Sequence, residues 1–199
     1  PLEMLYKWEQ EKPNELYLSQ PIDGVWHNWT WKEVGKEVRG MAAYIKTLNM
    51  PQGSKIALLS KNCAHWMMTD MAIMMSGYVS VPLYPNLNAA SLEKILKHSE
   101  AKLLFVGKLD DYAIMKPGVP ADLPCITFPF YSEDYPKWNE VTRDIAPIQE
   151  NIIREAQDLA TIIYTSGTTG DPKGVMHKFF NFSFATTHAS EALHFTNES

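Results

Sequence analysis

The sequence predicts an α/β fold, in which a partial parallel (mixed) sheet is flanked by helices and preceded by an N-terminal β-hairpin. After residue 54, short apolar runs alternate with longer segments of helical periodicity, the order expected for parallel strands joined by helices. Near the N-terminus, two short strand-like runs flank a turn that contains proline and glycine. The chain has 199 residues, 45% of them hydrophobic and 21% charged, which is enough to bury one good core.

Composition indicates which ligands to expect and where in the cell the protein is located. There are 18 Lys and Arg against 23 Asp and Glu, a formal net charge of −5, and no basic block, so we expect small-molecule ligands and no nucleic acid. Cys63 and Cys125 are isolated, which fits a reducing cytosol, and we expect a cytoplasmic protein without a zinc site. The most apolar stretch, residues 72–83, is interrupted by Gly77 and Pro82 and is too short to span a bilayer. Peripheral membrane contact stays an open alternative.

The first 50 residues predict a helix, a hairpin and a second helix. The first helix ends before Pro13, and residues 16–19 and 25–29 form the hairpin. Thr30 and Glu33 have the spacing of a capping box, so the second helix should begin there. That helix carries one apolar stripe at a 3.6-residue period: Trp31, Val34, Val38, Met41, Ala42, Ile45 and Leu48.

The middle of the chain predicts alternating strands and helices. We expect strands over residues 55–60, 78–83, 102–106, 125–128 and 159–164, and helices over 63–76 and 91–99. Residues 131–139 are predicted to be a loop.

Two apolar clusters allow either core packing or a pocket for a lipid chain. One is the methionine-rich helix with Met67, Met68, Met71, Met74 and Met75, and the other is the run Phe179, Phe180, Phe182 and Phe184. We favour core packing for both, because a helix beside a parallel sheet needs no ligand to explain an apolar surface. An acyl-pocket lining is the alternative.

Residues 164–175, Tyr-Thr-Ser-Gly-Thr-Thr-Gly-Asp-Pro-Lys-Gly-Val, concentrate groups suited to holding a polyphosphate. Glycines allow several N–H groups to turn toward one anion. The hydroxyl donors are Thr165, Ser166, Thr168 and Thr169, the glycines are Gly167, Gly170 and Gly174, and Lys173 adds a positive charge. The spacing fits neither a Walker A loop nor a dinucleotide fingerprint. A glycine-rich surface turn without a ligand is the competing interpretation.

Two polar residues follow this loop. His177 is either a general base or, as we favour, a polar residue satisfied at the start of the next helix. Asn181 is predicted to cap a helix that runs to about residue 193.

Over all twelve positions, residues 164–175 resemble the phosphate-binding signature of the adenylate-forming enzymes, which include acyl-CoA synthetases, firefly-type luciferases and the adenylation domains of peptide synthetases. The resemblance extends over nearly the whole chain, to residues 30–33, Asn62, Trp66, Asp70, Gly77 and residues 79–84. Within the superfamily, the spacing of Trp66 and Asp70 and the Val-Pro-Leu-Tyr run at residues 81–84 look most like those of long-chain fatty acyl-CoA synthetases.

The resemblance implies a reaction in two steps. A carboxylate attacks the α-phosphate of MgATP to give an acyl-adenylate and pyrophosphate, and the thiol of coenzyme A then displaces AMP. It implies that the ATP phosphates are held by Thr165, Ser166, Gly167, Thr168, Thr169, Gly170 and Lys173. No complete set of catalytic residues and no metal ligand is expected within these 199 residues.

In the family, the adenine site, the Tyr-Gly-x-Thr-Glu segment whose Glu helps to bind Mg²⁺, and the C-terminal lysine all lie downstream of this loop. We therefore expect residues 1–199 to be the N-terminal portion of an AMP-binding domain, truncated, without the C-terminal domain, inactive alone and capable of self-association. Two alternatives stay open: a stand-alone phosphate-binding or interaction module that pairs through exposed sheet edges, and an adenylation domain of the luciferase or amino-acid type.

Overall fold

The computed structural model describes residues 1–131, 134–165 and 172–184. The helices are α1 (Leu2–Glu11), α2 (Trp31–Thr47), α3 (Ala64–Ser76), α4 (Ala89–Ser99) and α5 (Trp138–Val141). The strands are β1 (Leu16–Ile22), β2 (Val25–Thr30), β3 (Lys55–Leu59), β4 (Val79–Leu83), β5 (Leu103–Val106), β6 (Cys125–Thr127), β7 (Leu159–Thr165) and β8 (Lys173–Lys178). Within this part of the chain β1 and β2 form a hairpin, and the other strands form a mixed sheet in the order β6-β5-β3-β4-β7-β8, parallel except for β8.

The N-terminal elements follow the predicted local chemistry. Asp23 and Gly24 have φ values of 50° and 79°, as a two-residue hairpin turn requires. Thr30 Oγ1 accepts a hydrogen bond from the Glu33 N–H (3.3 Å), and the Thr30 N–H donates to Glu33 Oε2 (2.7 Å), which confirms the capping box. The ring of Trp31 stacks on Tyr17 with centroids 3.5 Å apart. This stacking holds the hairpin against the start of α2.

Helices cover both faces of the sheet, and each face has its own core. Ile56 and Leu58 of β3 face α2 and α3, whereas Ala57 and Leu59 face α4. All four side chains are fully buried. A strand that is covered on both faces needs apolar side chains on both, which is why apolar and polar residues do not alternate in β3.

The methionine-rich helix α3 packs in the core, as predicted. Met68, Met71, Met74 and Met75 are buried between α2 and the sheet. Met67 is the exception, with 41% of its surface exposed. The helix ends at Gly77, whose φ of 95° provides the left-handed C-terminal cap.

The prediction of a loop over residues 131–139 was partly wrong, because α5 begins at Trp138. This indole is only 1% exposed, and its Nε1–H donates to Glu37 Oε2 over 2.7 Å. Its ring packs against Phe105 and Phe128, with centroids 6.2 and 6.3 Å away. The short helix α5 is held by one buried tryptophan and has no repeating apolar pattern, so the periodicity of the sequence could not predict it.

The segment after the phosphate loop also differs from the prediction, because a strand precedes the helix. β8 runs antiparallel to β7 and places Lys173 opposite Thr165. His177 therefore lies half-buried in a strand and not at a helix start. Residues 179–184 are helical, and Asn181 Oδ1 accepts from the Lys178 N–H (2.8 Å). The prediction that Asn181 caps this helix was wrong in position, because Asn181 lies inside the helix and its side chain accepts from the residue that precedes the helix. The rest of the helix predicted to residue 193 lies outside the described residues.

The phenylalanine run is buried only in part. Phe179 is 8% exposed, and Phe182 packs at the edge of the core. Phe180 and Phe184 are 53% and 55% exposed, so the prediction of core packing was wrong for these two. Successive residues of a helix point in different directions, and one apolar run cannot be buried on every side at the edge of a domain.

Candidate functional site

The order of the strands creates a crevice at one edge of the sheet. β3 is followed by α3 on one face, whereas its neighbour β4 is followed by α4 on the opposite face. The chain therefore leaves the carboxyl ends of β3 and β4 in opposite directions. In open α/β sheets, ligands bind at such a switch point.

A groove of about 520 Å³ occupies this switch point. Lys61 and Asn62 follow the end of β3, Tyr84 follows β4 and Lys108 follows β5, and all four line the groove. Trp66 of α3 contributes an aromatic wall. The groove thus combines apolar surface with polar groups that come from separate parts of the chain, as in most small-molecule sites.

The two lysines are held side by side by the backbone. The Lys61 N–H donates to the Lys108 carbonyl over 2.7 Å, and the Lys108 N–H donates to Ser60 Oγ over 2.9 Å. The Lys61 ammonium bonds to Asp110 Oδ1 at 2.5 Å. The backbone therefore places two lysine side chains at one groove, although Asp110 partly neutralises Lys61, and a positive charge at a groove favours an anionic ligand such as a phosphate group.

The ends of the predicted phosphate loop lie at the same edge. Ile163 of β7 lines the groove, and Thr165 ends that strand two residues later. Lys173, the first residue of β8, pairs with Thr165 across the hairpin. Of the seven predicted phosphate-binding residues, the structure brings these two together. The other five lie outside the described residues: Ser166, Gly167, Thr168, Thr169 and Gly170.

Gly174 of β8 lies so close to two side chains of β7 that there is no room for a β-carbon. A β-carbon at this position would lie 2.7 Å from Ile162 Cγ2 and 3.2 Å from Tyr164 Cζ. These two β7 side chains lean over the glycine in the paired strand. Only glycine therefore lets β8 approach β7 here without moving a neighbour.

Sequence reasoning missed Lys61, Tyr84 and Lys108 as candidate site residues. Each follows a predicted strand within two residues, and the rule that parallel strands carry their ligands at the carboxyl ends would have pointed to them. These three residues lie close together because of the order of the strands in the sheet, and the periodicity of single segments does not predict that order.

The described part of the chain contains no group of three or more His, Cys, Asp or Glu side chains that could hold a metal ion. None of its helices has both the length and the apolar character needed to cross a bilayer.

The chain is similar to one family model and to several known proteins. Residues 5–198 match the family model described as AMP-binding enzyme. Long-chain-fatty-acid–CoA ligase FadD15 of Mycobacterium bovis (strain ATCC BAA-935 / AF2122/97) is 29% identical over 179 residues, which cover 86% of this chain and 30% of that protein. Long chain acyl-CoA synthetase 2 of Arabidopsis thaliana is 30% identical over 184 residues, which cover 82% of this chain and 28% of the relative.

A relative of another kind is the hybrid PKS-NRPS synthetase pydA of Acremonium sp, 32% identical over 164 residues, which cover 82% of this chain and 4% of that protein. Among solved structures, the anthranilate CoA ligase AuaEII in complex with anthranoyl-AMP superposes with a TM-score of 0.82 at 21% identity, over 94% of this chain and 36% of that one. At that identity the superposition shows the fold alone. The chain spans about 30% of the length of the two ligases. The match over nearly its whole length shows that the chain belongs to the AMP-binding enzyme family.

Proposed function

We propose that the protein carrying this chain activates a carboxylic acid, and specifically a fatty acid, with ATP and then transfers the acyl group to coenzyme A. The observation that carries the proposal is the position of the phosphate-loop ends, Thr165 and Lys173, beside a groove with two lysines at the switch point of the sheet. The names of the fatty-acid–CoA ligases among the relatives support the choice of acid and acceptor.

In the first step a carboxylate oxygen attacks the α-phosphorus of ATP, a P–O bond to the β-phosphate breaks, and pyrophosphate leaves. Lys173 and the hydroxyl of Thr165 would hold the β- and γ-phosphates together with the loop residues Ser166, Gly167, Thr168, Thr169 and Gly170. Their contribution is electrostatic and positional, because the leaving pyrophosphate gains charge as the bond breaks. Magnesium would be bound by the triphosphate oxygens of ATP.

In the second step the thiol of coenzyme A attacks the acyl carbonyl carbon and AMP leaves. Lys61 and Lys108 at the groove would favour the approach of phosphorylated substrates. ATP and coenzyme A both carry phosphates, so the two lysines support phosphate recognition and do not choose between these substrates.

The test uses the protein encoded by the whole open reading frame. Replacing Lys173 by Ala should slow adenylate formation, measured as ATP–pyrophosphate exchange, by about 100-fold, as expected for the loss of one preorganised charge contact. Thioester formation from supplied acyl-adenylate should be less affected. Equal loss of both activities would contradict the proposed role.

Lys178 offers a matched control. It is the last residue of β8, five residues after Lys173, and its ammonium donates to Gln157 Oε1 over 2.8 Å. Lys178→Ala removes the same charge from the same strand at the end away from the loop. It should leave pyrophosphate exchange unchanged.

The pydA relative favours a second candidate, an adenylation domain that passes the acyl group to a carrier-protein thiol. Both candidates require pyrophosphate exchange, and they differ in the acceptor. Transfer to free coenzyme A would support the first, and transfer only to a phosphopantetheinylated carrier would support the second. The remainder of the reading frame, searched for Tyr-Gly-x-Thr-Glu and a C-terminal lysine, would test both.

For the 199-residue chain alone we propose that it carries an incomplete site and forms no acyl-CoA. A third candidate, a stand-alone phosphate-binding module, predicts micromolar binding of ATP in a calorimetric titration of this chain. A cytoplasmic location, peripheral membrane contact and self-association through sheet edges are also proposals, which fractionation, vesicle sedimentation and analytical ultracentrifugation would test.

A further inference from the structure

We propose that His98 is a positioning residue for Thr165 and Lys173, the phosphate-binding residues at the two ends of the loop, which it reaches through Tyr164. This inference rests on the proposed function, because it concerns the same loop. Nδ1 of His98 lies 2.7 Å from the Tyr164 hydroxyl oxygen, and the two rings meet edge to face with centroids 5.7 Å apart. Tyr164 is the residue before Thr165, with which β7 ends.

The contact joins two elements that are distant in sequence. His98 is in the last turn of α4, whose buried residues Leu92, Ile95 and Leu96 pack on the same face of the sheet as Tyr164. The Tyr164 ring is buried, with 4% of its surface exposed, whereas His98 lies at the exposed end of the helix. The helix therefore places His98 Nδ1 beside the hydroxyl group of Tyr164, whose ring is otherwise in apolar surroundings. This single hydrogen bond fixes the position of the hydroxyl group.

The position of the Tyr164 ring matters because the ring lies over Gly174. The ring carbon Cζ, which carries the hydroxyl group, is the Tyr164 atom nearest to the place where a Gly174 β-carbon would stand, 3.2 Å away. Gly174 pairs with Tyr164, and the next pair along the hairpin is Thr165 with Lys173. A shift of the ring would change the approach of β8 to β7 at the pair from which the loop departs.

His98 is not among the residues that line the groove, so its effect on the loop is indirect. It should change how well Thr165 and Lys173 are placed for the ATP phosphates, and hence the KM for ATP, more than the chemistry that follows binding. A preorganised site binds more tightly because less ordering is required at the moment of binding.

The experiment measures ATP–pyrophosphate exchange in the protein encoded by the whole reading frame. His98→Ala and Tyr164→Phe should each raise the KM for ATP about fivefold, the usual effect of one hydrogen bond, with kcat changed less than twofold. The double variant should match either single variant, because all three lack the same hydrogen bond. His98→Asn, whose side-chain amide reaches the position of Nδ1, should restore most of the affinity.

Tyr78→Phe is the matched control. The Tyr78 hydroxyl also donates a single partly buried hydrogen bond, to the Met50 carbonyl over 3.0 Å, but it precedes β4 at the opposite edge of the sheet. This variant should lower the unfolding midpoint as much as Tyr164→Phe does and leave the KM for ATP unchanged.

The outcomes separate the two proposals. If the wild-type protein exchanges pyrophosphate, three results would each overturn the role of His98. They are an unchanged KM for ATP in His98→Ala, additive effects on KM in the double variant, and an equal rise of KM in Tyr78→Phe. Absence of exchange with every acid tried would overturn the proposed function instead, and calorimetric Kd values for ATP would then decide about His98. Wild-type protein that neither exchanges nor binds ATP would overturn both.

Discussion

Acid should unfold this protein partly through His65, which is buried in an aromatic box. Its imidazole is 5% exposed, and its ring centroid lies 5.4 Å from that of Trp138, 5.7 Å from that of Trp29 and 5.9 Å from that of Phe128. Burial among these rings lowers the pKa of His65 from 6.5 to about 4, because the charged form loses its hydration. The folded protein therefore holds this side chain neutral at pH values where an exposed histidine is protonated.

The sign of the effect follows from the two pKa values. Between pH 6.5 and 4 the unfolded chain binds a proton at this position and the folded chain does not, so stability is present above pH 6.5 and is lost as the pH falls. The difference between pH 7 and pH 4.5 corresponds to about 2.5 kcal/mol, at about 1.4 kcal/mol for each pKa unit. Burial raises the pKa of Asp70 to about 6, which acts in the opposite sense over nearly the same range. The contribution of His65 must therefore be measured as a difference between wild type and variant.

His65→Phe is the informative change, because phenylalanine fits an aromatic box and cannot be protonated. Urea unfolding of the 199-residue chain, followed by tryptophan fluorescence at pH 7 and pH 4.5, gives the free energies of unfolding. The wild type should lose about 2.5 kcal/mol more than the variant on acidification. Parallel loss in both proteins would refute the assignment of a buried neutral imidazole, whatever the stability of the variant at pH 7.

Two further predictions concern stability. The Arg39 guanidinium donates to the Glu9 carboxylate (2.8 Å), to the carbonyls of Ile148 and Glu150 and to Asn151 Oδ1 (2.6 Å), with only 11% of its side chain exposed. Arg39→Ala should lower the free energy of unfolding by about 3 kcal/mol, and Arg39→Lys should recover less than half because an ammonium lacks the planar fork; full recovery by lysine would contradict this. Gly174→Ala should cost about 1–3 kcal/mol, since its methyl group must displace Ile162 or Tyr164, and an unchanged urea midpoint would show that the strands can separate without cost.

The accuracy of the predictions depended on how local their physical causes were. The capping box at Thr30 and the hairpin that turns at Gly24 are determined by neighbouring residues, and both were predicted. The burial of Trp138 and the exposure of Phe180 depend on which distant elements cover them, and both were missed. The prediction placed the residues of β8 in a loop and a helix. They form a strand because they pair with β7, which their own sequence pattern does not show.

The sequence by itself determined the order of strands and helices from α1 to β6, the two-faced burial of β3 and the residue types of the phosphate loop, because each depends on side chains that are close together in the chain. Only the tertiary structure decided that Lys61 and Lys108 share one groove, that Thr165 faces Lys173, and that His98 reaches the residue before the loop. The Lys61–Lys108 and His98–Tyr164 contacts join positions 47 and 66 residues apart, and they form only when the crossovers place the strands in their final order. The Thr165–Lys173 pair forms only when β8 pairs with β7.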